Sequence, residues 1–136
     1  MREILETFFD QQAGHFISGN LPGFTDAYTE PLPVFVVSNS EWRIVQSREH
    51  LRMIVERELE ALRKIGASGC TADIAEIHET SGGRWRTQVS WRISNSLGEQ
   101  ISLTDTVHYL DIAKRTPRVV MVQCRRLVAP LSDLSC

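Results

Sequence analysis

The chain has 136 residues, of which 42% are hydrophobic and 24% charged, with a formal net charge of -2 at pH 7. This length is enough for one substantial core and short for two, so we expect a single domain over residues 1–136. A mildly acidic chain lacks the basic face of nucleic-acid binders, which argues against a nucleic-acid partner. No apolar run approaches the roughly 18 residues of a membrane span, so we expect no membrane association.

The cysteines and the N-terminus bear on the cellular compartment. Cys70, Cys124 and Cys136 are odd in number and show no CxxC spacing, a pattern typical of free thiols in a reducing environment. The first six residues lack the basic and then apolar layout of a signal peptide. We therefore expect a cytoplasmic protein.

Two helices are predicted at the start of the chain. Residues 3–18 place apolar side chains on one helical stripe, and Gly19 ends it. Pro22 lies near the start of a second, short helical piece that runs to about Tyr28. The prolines within residues 31–33 cannot continue a helix, so a strand is expected to follow.

A hairpin and a long helix are predicted next. Residues 34–37 and 41–46 are rich in β-branched and aromatic side chains and flank a polar turn, which predicts a hairpin. Ser47 is positioned to cap a helix from Arg48 to about Ile65, in which apolar residues recur every three or four positions.

The second half of the chain predicts four strands, at about residues 71–79, 84–94, 100–110 and 118–128. Turn-forming residues separate them, so neighbouring strands should be antiparallel. The order of helix, short helix, hairpin, long helix and four-stranded meander is an α+β plan. In this plan the helices cover one face of a curved antiparallel sheet.

Asp105 interrupts the apolar face of the third of these strands. Alternation places it with Ile101, Leu103, Val107 and Tyr109, and places the polar residues Ser102, Thr104, Thr106 and His108 on the opposite face. An unpaired buried carboxylate is costly, so it needs a partner, a raised pKa or a wet cavity. We therefore expect the apolar face to look inward and Asp105 to mark a pocket.

Three segments carry a family resemblance. They are Ile17-Ser-Gly19-Asn20-Leu21 after the first helix, Tyr28-Thr-Glu-Pro31 before the first strand, and Trp91-Arg-Ile-Ser-Asn-Ser-Leu-Gly98-Glu in a strand and hairpin. In order and spacing they resemble the nuclear transport factor 2-like superfamily, which includes ketosteroid isomerases and SnoaL-type polyketide cyclases. The resemblance implies a cystatin-like cone, in which the sheet curls around the helices and leaves an apolar cavity.

The resemblance also implies a candidate site. Asp105 resembles the acid that ketosteroid isomerases keep protonated to donate a hydrogen bond. The family's tyrosine and base would fall near Gln12 and Val36, and valine cannot take a proton, so 3-keto isomerisation is not expected. Other cofactor-free isomerase, cyclase or dehydratase chemistry would use Asp105 as acid or base and His15 as its partner. The predicted ligand-binding residues are Gln12, Phe16, Trp85, Trp91, Leu103, Val107 and Tyr109.

These residues also have structural interpretations. Asp105 is compatible with a buried acid paired with an arginine, Trp85 or Gln12, or with a local edge irregularity that turns it outward. His15 is compatible with a partly exposed ring stacked on Phe8 or Phe16. Trp85 and Trp91 are compatible with ordinary core packing. The sequence has no HxxxH arrangement and no glycine-rich nucleotide loop, so we predict no metal and no cofactor.

Assembly is suggested by the segment 119–122, which is apolar on both strand faces. We expect a homodimer that uses Val120, Val122 and Thr106. The sequence thus predicts a SnoaL-like domain that binds a small, largely apolar molecule, with or without chemistry. The alternatives are a non-catalytic dimerisation or protein-interaction module with a closed pocket, and a small subunit of an aromatic-ring dioxygenase assembly.

Overall fold

The computed structural model describes residues 1–128, apart from the side chains of 39 and 125–128. Within this part the helices are α1 (Arg2–Ser18), α2 (Leu21–Thr25) and α3 (Arg48–Lys64). The strands are β1 (Leu32–Val36), β2 (Glu41–Val45), β3 (Gly69–Glu79), β4 (Trp85–Ser94), β5 (Gln100–Ala113) and β6 (Thr116–Val128). The predicted order is confirmed, although α2 is shorter than expected and β5 runs three residues further.

The helix ends follow the local chemistry of the sequence. Gly19 closes α1 in the left-handed conformation, with φ of 81°, which glycine adopts without the steric cost of a Cβ atom. Ser47 caps α3, because its Oγ accepts the His50 N–H at 3.0 Å. Both boundaries agree with the sequence prediction.

The sheet places its strands in the order β2-β1-β6-β5-β4-β3. Strands β3 to β6 form the predicted antiparallel meander, whereas β1 pairs with β6 in parallel. Helix α3 connects β2 at one edge to β3 at the other. The sheet curves and the helices cover one of its faces, so an interior forms between them.

The main core lies between α1, α3 and the inner face of the sheet. Leu5, Phe9, Leu62, Val89 and Leu110 are all at most 2% exposed. Burial of such side chains stabilises the fold by roughly 1.5–3 kcal/mol each. The core therefore fixes α1 and α3 against the sheet. The part of the inner sheet face that the core does not cover forms one wall of the interior.

Strand β5 turns its polar face inward, so the predicted orientation is wrong. Directly opposite residues in an antiparallel pair share a face, and β4 pairs Trp91 with Thr104 and Ser90 with Asp105. Because Trp91 packs on the core, Thr104 points inward and Asp105 points to the outer face. Alternation then sends Ser102, Thr106 and His108 inward and sends Leu103, Val107 and Tyr109 outward.

Two smaller expectations also change. Val122 and Thr106 both face the interior, so with Val120 they do not form the single outer patch that was predicted as a dimer interface. Cys70 is a free thiol as expected, but Cys124 takes part in a disulfide, and Cys136 lies outside the described residues. Among the helices of the described part, none combines the length and apolarity needed to span a bilayer.

Candidate functional site

The helices and the inner sheet face enclose a cavity of about 580 Å³. This volume lies in the range of small-molecule sites. Its walls are mostly apolar and include Phe16, Phe24, Leu51, Val55 and Ile93. The polar side chains that line its interior are Tyr28, Glu58, Cys70, Ser102, Thr104, Thr106 and His108.

The cavity opens to solvent between β2 and the first half of α3. Ile44 and Met53 line it and are 47% and 51% exposed. Arg43, His50 and Arg57 are exposed lining residues of the same two elements. The rim therefore combines apolar surface with basic side chains.

A hydrogen-bonded group on the sheet wall holds His108 in place. Thr106 Oγ1 accepts the Trp91 Nε1–H at 2.7 Å and lies 3.3 Å from His108 Nδ1. The imidazole also meets the Phe9 ring edge to face, with centroids 5.0 Å apart. Burial lowers the pKa of His108 to about 3, so its ring is neutral near pH 7.

Tyr28 forms part of the cavity wall between α2 and β1. Its carbonyl accepts the Arg48 Nε–H at 3.0 Å, and its ring stacks on Phe24 at 5.4 Å. Burial raises the pKa of the phenol well above its usual range, while the Gln12 side chain acts in the opposite direction. Tyr28 is therefore a neutral phenol at all physiological pH values.

Glu58 faces the cavity from α3, where it continues the buried stripe of Val55 and Leu62. Burial raises the pKa of its carboxyl to about 7. Part of the side chain stays open to the cavity, so water entering at the rim still reaches it. Among the side chains that the structure describes, none forms a hydrogen bond or ion pair with the Glu58 carboxyl.

Cys70 and Ser102 complete the polar lining. Burial, with a smaller contribution from the Glu58 charge, raises the pKa of Cys70 to about 12, so its thiol is not a nucleophile at neutral pH. Ser102 is 1% exposed, and its Oγ has no partner among the described residues. Buried hydroxyls are usually hydrogen-bonded, so Ser102 retains an unused donor at the cavity wall.

The predicted catalytic pair does not lie in this cavity. Asp105 is on the outer sheet face, where it accepts a hydrogen bond from Ser90 Oγ at 2.7 Å. His15 lies near the end of α1, with its Nδ1 3.1 Å from Asn20 Nδ2. Neither side chain is a lining residue, so the structure does not bring them together at the site.

The predicted ligand-binding residues divide into two groups. Phe16 and Trp91 line the cavity. Gln12 is buried behind its wall, where its Nε2 donates to the Phe24 carbonyl at 2.9 Å. Trp85 lies outside the cavity lining, and Leu103, Val107 and Tyr109 are on the outer face with Asp105.

Sequence reasoning missed Glu58 and the inner residues of β5. Glu58 is three residues after Val55 and four before Leu62, so it falls on the predicted buried stripe of α3. A carboxylate on that stripe indicates a pocket for the same reason as Asp105, because the pattern predicts a buried apolar residue at its position. The inner β5 residues could have been found by pairing Trp91 with Thr104 across the hairpin instead of choosing the more apolar face of β5 alone.

The protein belongs to the class of α+β cones. Its sheet curves around the helices, and a largely apolar cavity lies between the helices and the sheet. The family model described as NTF2-like protein (DUF6841) matches residues 2–125, and the chain belongs to this family. The resemblance predicted from the sequence is thereby confirmed. A comparison with curated proteins finds no match.

Solved structures share the fold at low sequence identity. A domain of unknown function with a cystatin-like fold from Nostoc punctiforme is 10% identical, with a TM-score of 0.70 over 94% of this chain and 78% of its own. ActVI-ORFA from Streptomyces coelicolor is 10% identical, with a TM-score of 0.71 over 95% and 97%. A ketosteroid isomerase-like protein from Erwinia carotovora atroseptica is 11% identical, with a TM-score of 0.59 over 88% and 89%. These likenesses show the fold.

Proposed function

We propose that this protein binds a small, uncharged and largely apolar molecule inside the cone. The observation that carries the proposal is the cavity of about 580 Å³, which opens at the rim of β2 and α3 and has mostly apolar walls. Apolar walls with a few fixed polar groups are the usual composition of small-molecule sites. The polar groups of β5 would orient the ligand, while the apolar walls supply most of the affinity.

The charge state of the interior supports an uncharged ligand. Tyr28 and Cys70 have raised pKa values and His108 has a lowered one, so all three are neutral near pH 7. An anionic ligand would lose its hydration without meeting a positive charge deep in the cavity, where Glu58 is the lining residue that ionises near pH 7 and it becomes negative. A molecule with one or two hydroxyl or carbonyl groups would instead find hydrogen-bonding partners in Ser102 and Thr104.

The test uses the fluorescence of N-phenyl-1-naphthylamine, an uncharged apolar probe, with a matched pair of variants on β5. Thr104→Phe fills the cavity from its inner wall, whereas Leu103→Phe adds the same ring to the outer face. We expect binding to the parent chain and to Leu103→Phe, and at least a roughly tenfold weaker affinity for Thr104→Phe, which corresponds to about 1.4 kcal/mol. Equal binding to both variants would mean that the probe sits elsewhere.

A homodimer is a second proposal, supported by the outer sheet face. Leu103 and Tyr109 are partly exposed there, beside the fully buried Val107. Apolar side chains on the outer face of a sheet are suited to packing against a second sheet. Size-exclusion chromatography with light scattering tests this proposal, and a monomer at micromolar concentration would contradict it.

A further inference from the structure

We infer that Glu58 is the proton-accepting residue of the cavity and acts on an uncharged, largely apolar molecule that carries an acidic C–H bond. This inference rests on the proposed binding function and adds a reaction to it. Glu58 is the acidic residue among the side chains that line the cavity. Its role is distinct from that predicted for Asp105, which lies on the other side of the sheet.

The Glu58 carboxyl lies in the cavity without a structural partner among the described side chains. Glu58 projects from the middle of α3 into a space walled by Leu51, Val55 and Ile93, and it has no hydrogen-bond or ion-pair partner among the described side chains. A carboxyl with a purely structural role is normally paired, because an unpaired buried charge is costly. Glu58 is therefore free to meet a ligand in the cavity.

The groups that surround Glu58 leave it as the one interior lining residue, among those described, that changes charge near pH 7. The titratable or charged side chains that line the cavity with Glu58 are Tyr28, Cys70 and His108 in the interior and Arg43, His50 and Arg57 at the rim. Burial keeps the three interior groups neutral near pH 7. With its pKa raised to about 7, Glu58 can both take up and return a proton at that pH, which is the condition for efficient acid–base catalysis.

The Ser102 hydroxyl is an unpartnered donor on the sheet wall of the same cavity. The Glu58 charge acts on Cys70, and Cys70, Ile93 and Ser102 follow one another across β3, β4 and β5. Two strand spacings place Ser102 about 10 Å from Cys70 along the sheet wall. Glu58 and Ser102 both line the cavity, and the Ser102 Oγ has no hydrogen-bond partner among the described residues, so we place a fused two-ring ligand between them.

The step that follows balances without a further reactant. The Glu58 carboxylate takes the proton from carbon, and the C–H electron pair moves into the neighbouring electron-withdrawing group. The oxygen or nitrogen that becomes negative accepts a hydrogen bond from Ser102. Return of the proton from Glu58 to the product restores the carboxylate, so the reaction consumes no oxidant, reductant or second substrate.

The test uses 5-nitrobenzisoxazole, an uncharged two-ring carbon acid. Removal of its ring C–H proton by a carboxylate forms the C≡N bond, breaks the N–O bond and releases a coloured phenolate. We expect the protein to accelerate this elimination with a rate that rises with pH through about 7, as Glu58 ionises. Glu58→Gln should lower the rate by roughly 100-fold or more, and Ser102→Ala by roughly tenfold.

Two further variants separate catalysis from folding. Glu56→Gln removes an exposed carboxyl two residues earlier on α3 and should keep the parent rate. Glu58→Asp keeps a carboxyl in the cavity, so it should retain part of the rate and the dependence on pH even where Glu58→Gln fails to fold. A Glu58→Gln chain that folds and keeps the parent rate would overturn the inference.

Binding of 5-nitroindole, which has the same shape and no N–O bond, distinguishes the two proposals. If the protein binds 5-nitroindole and does not accelerate the elimination, the acid–base role of Glu58 is wrong and the binding function stands. If it neither binds 5-nitroindole nor accelerates the elimination, both proposals are wrong. Acceleration together with loss of rate in Glu58→Gln supports both.

Discussion

The two walls of the cavity each carry a buried titratable group that is held in a different way. On the sheet wall, His108 is fixed by the Thr106 hydroxyl and by contact with the Phe9 ring. On the helix wall, Glu58 has neither a hydrogen bond nor an ion pair with any side chain in the described part of the protein. Burial disfavours the charged form of both groups, yet His108 is held in place and Glu58 is available. The contrast separates a polar group that the fold holds in place from one that is open to a ligand.

The same contrast has opposite consequences for stability. Burial raises the pKa of Glu58 to about 7, so its contribution to stability is complete below pH 4.5 and is lost as the pH rises through 7. Burial lowers the pKa of His108 to about 3, so its contribution is complete above pH 6.5 and is lost as the pH falls towards 3. Between pH 4.5 and 6.5 the two effects oppose each other.

The largest expected effect comes from Glu58→Gln. The variant carries no charge to bury, so at pH 8 its free energy of unfolding should exceed that of the parent by up to about 3 kcal/mol. Water that enters the cavity reduces this gain. Urea unfolding at several pH values between 4.5 and 8 measures it, with Glu56→Gln as the control that should follow the parent. No gain at pH 8 would place the Glu58 carboxyl in solvent.

The next effect concerns the slope of stability against pH in His108→Gln. In the parent, burial of the neutral imidazole lowers the free energy of unfolding by about 1.4 kcal/mol for each pH unit below 6.5. Glu58 raises it by a similar amount over the same range, so the two changes nearly cancel. His108→Gln removes the imidazole contribution, so the variant should gain stability as the pH falls from 6.5 to 4.5, while the parent stays nearly level. Parallel curves for parent and variant would show that His108 is solvated.

A smaller effect is expected when Thr106 becomes valine. Its hydroxyl accepts the Trp91 Nε1–H at 2.7 Å, and loss of this acceptor leaves a partly buried indole N–H without a partner. We expect a loss of about 1–2 kcal/mol in the free energy of unfolding at pH 7. Thr104→Val is the matched control, because Thr104 lies two residues away on the same face and makes no hydrogen bond within the described residues. Equal losses in both variants would mean that the Trp91 bond does not contribute.

The fold could be predicted from the sequence because its signals are local. Gly19 and Ser47 mark helix boundaries through their own backbone chemistry, and the turns between β3 and β6 dictate antiparallel neighbours. The parallel pairing of β1 with β6 could not be predicted in this way. It joins residues about ninety positions apart, such as Val34 and Val122, and depends on how the sheet closes.

The site was harder to predict because side chains that face a cavity can be polar, whereas side chains that pack in a core are usually apolar. In β5 the polar residues Ser102 and Thr106 face inward, because they line a space instead of packing in the core. The apolar Val107 is on the outer face, yet it is 0% exposed because its neighbours cover it. Strand alternation separates the two faces of β5, but only the pairing with β4 decides which one is inside.

The smallest expected effect is that of Asp105→Asn. This variant is the most direct test of which face of β5 points inward. Asp105 is partly exposed and accepts a hydrogen bond from Ser90 at 2.7 Å, which an asparagine oxygen can also accept. We expect a change in the free energy of unfolding of less than about 1 kcal/mol. Binding of N-phenyl-1-naphthylamine and the elimination rate should not change, since the side chain is on the outer face. If Asp105→Asn instead abolishes either one in a folded chain, the orientation of β5 is inverted and the assignment of Glu58 fails with it.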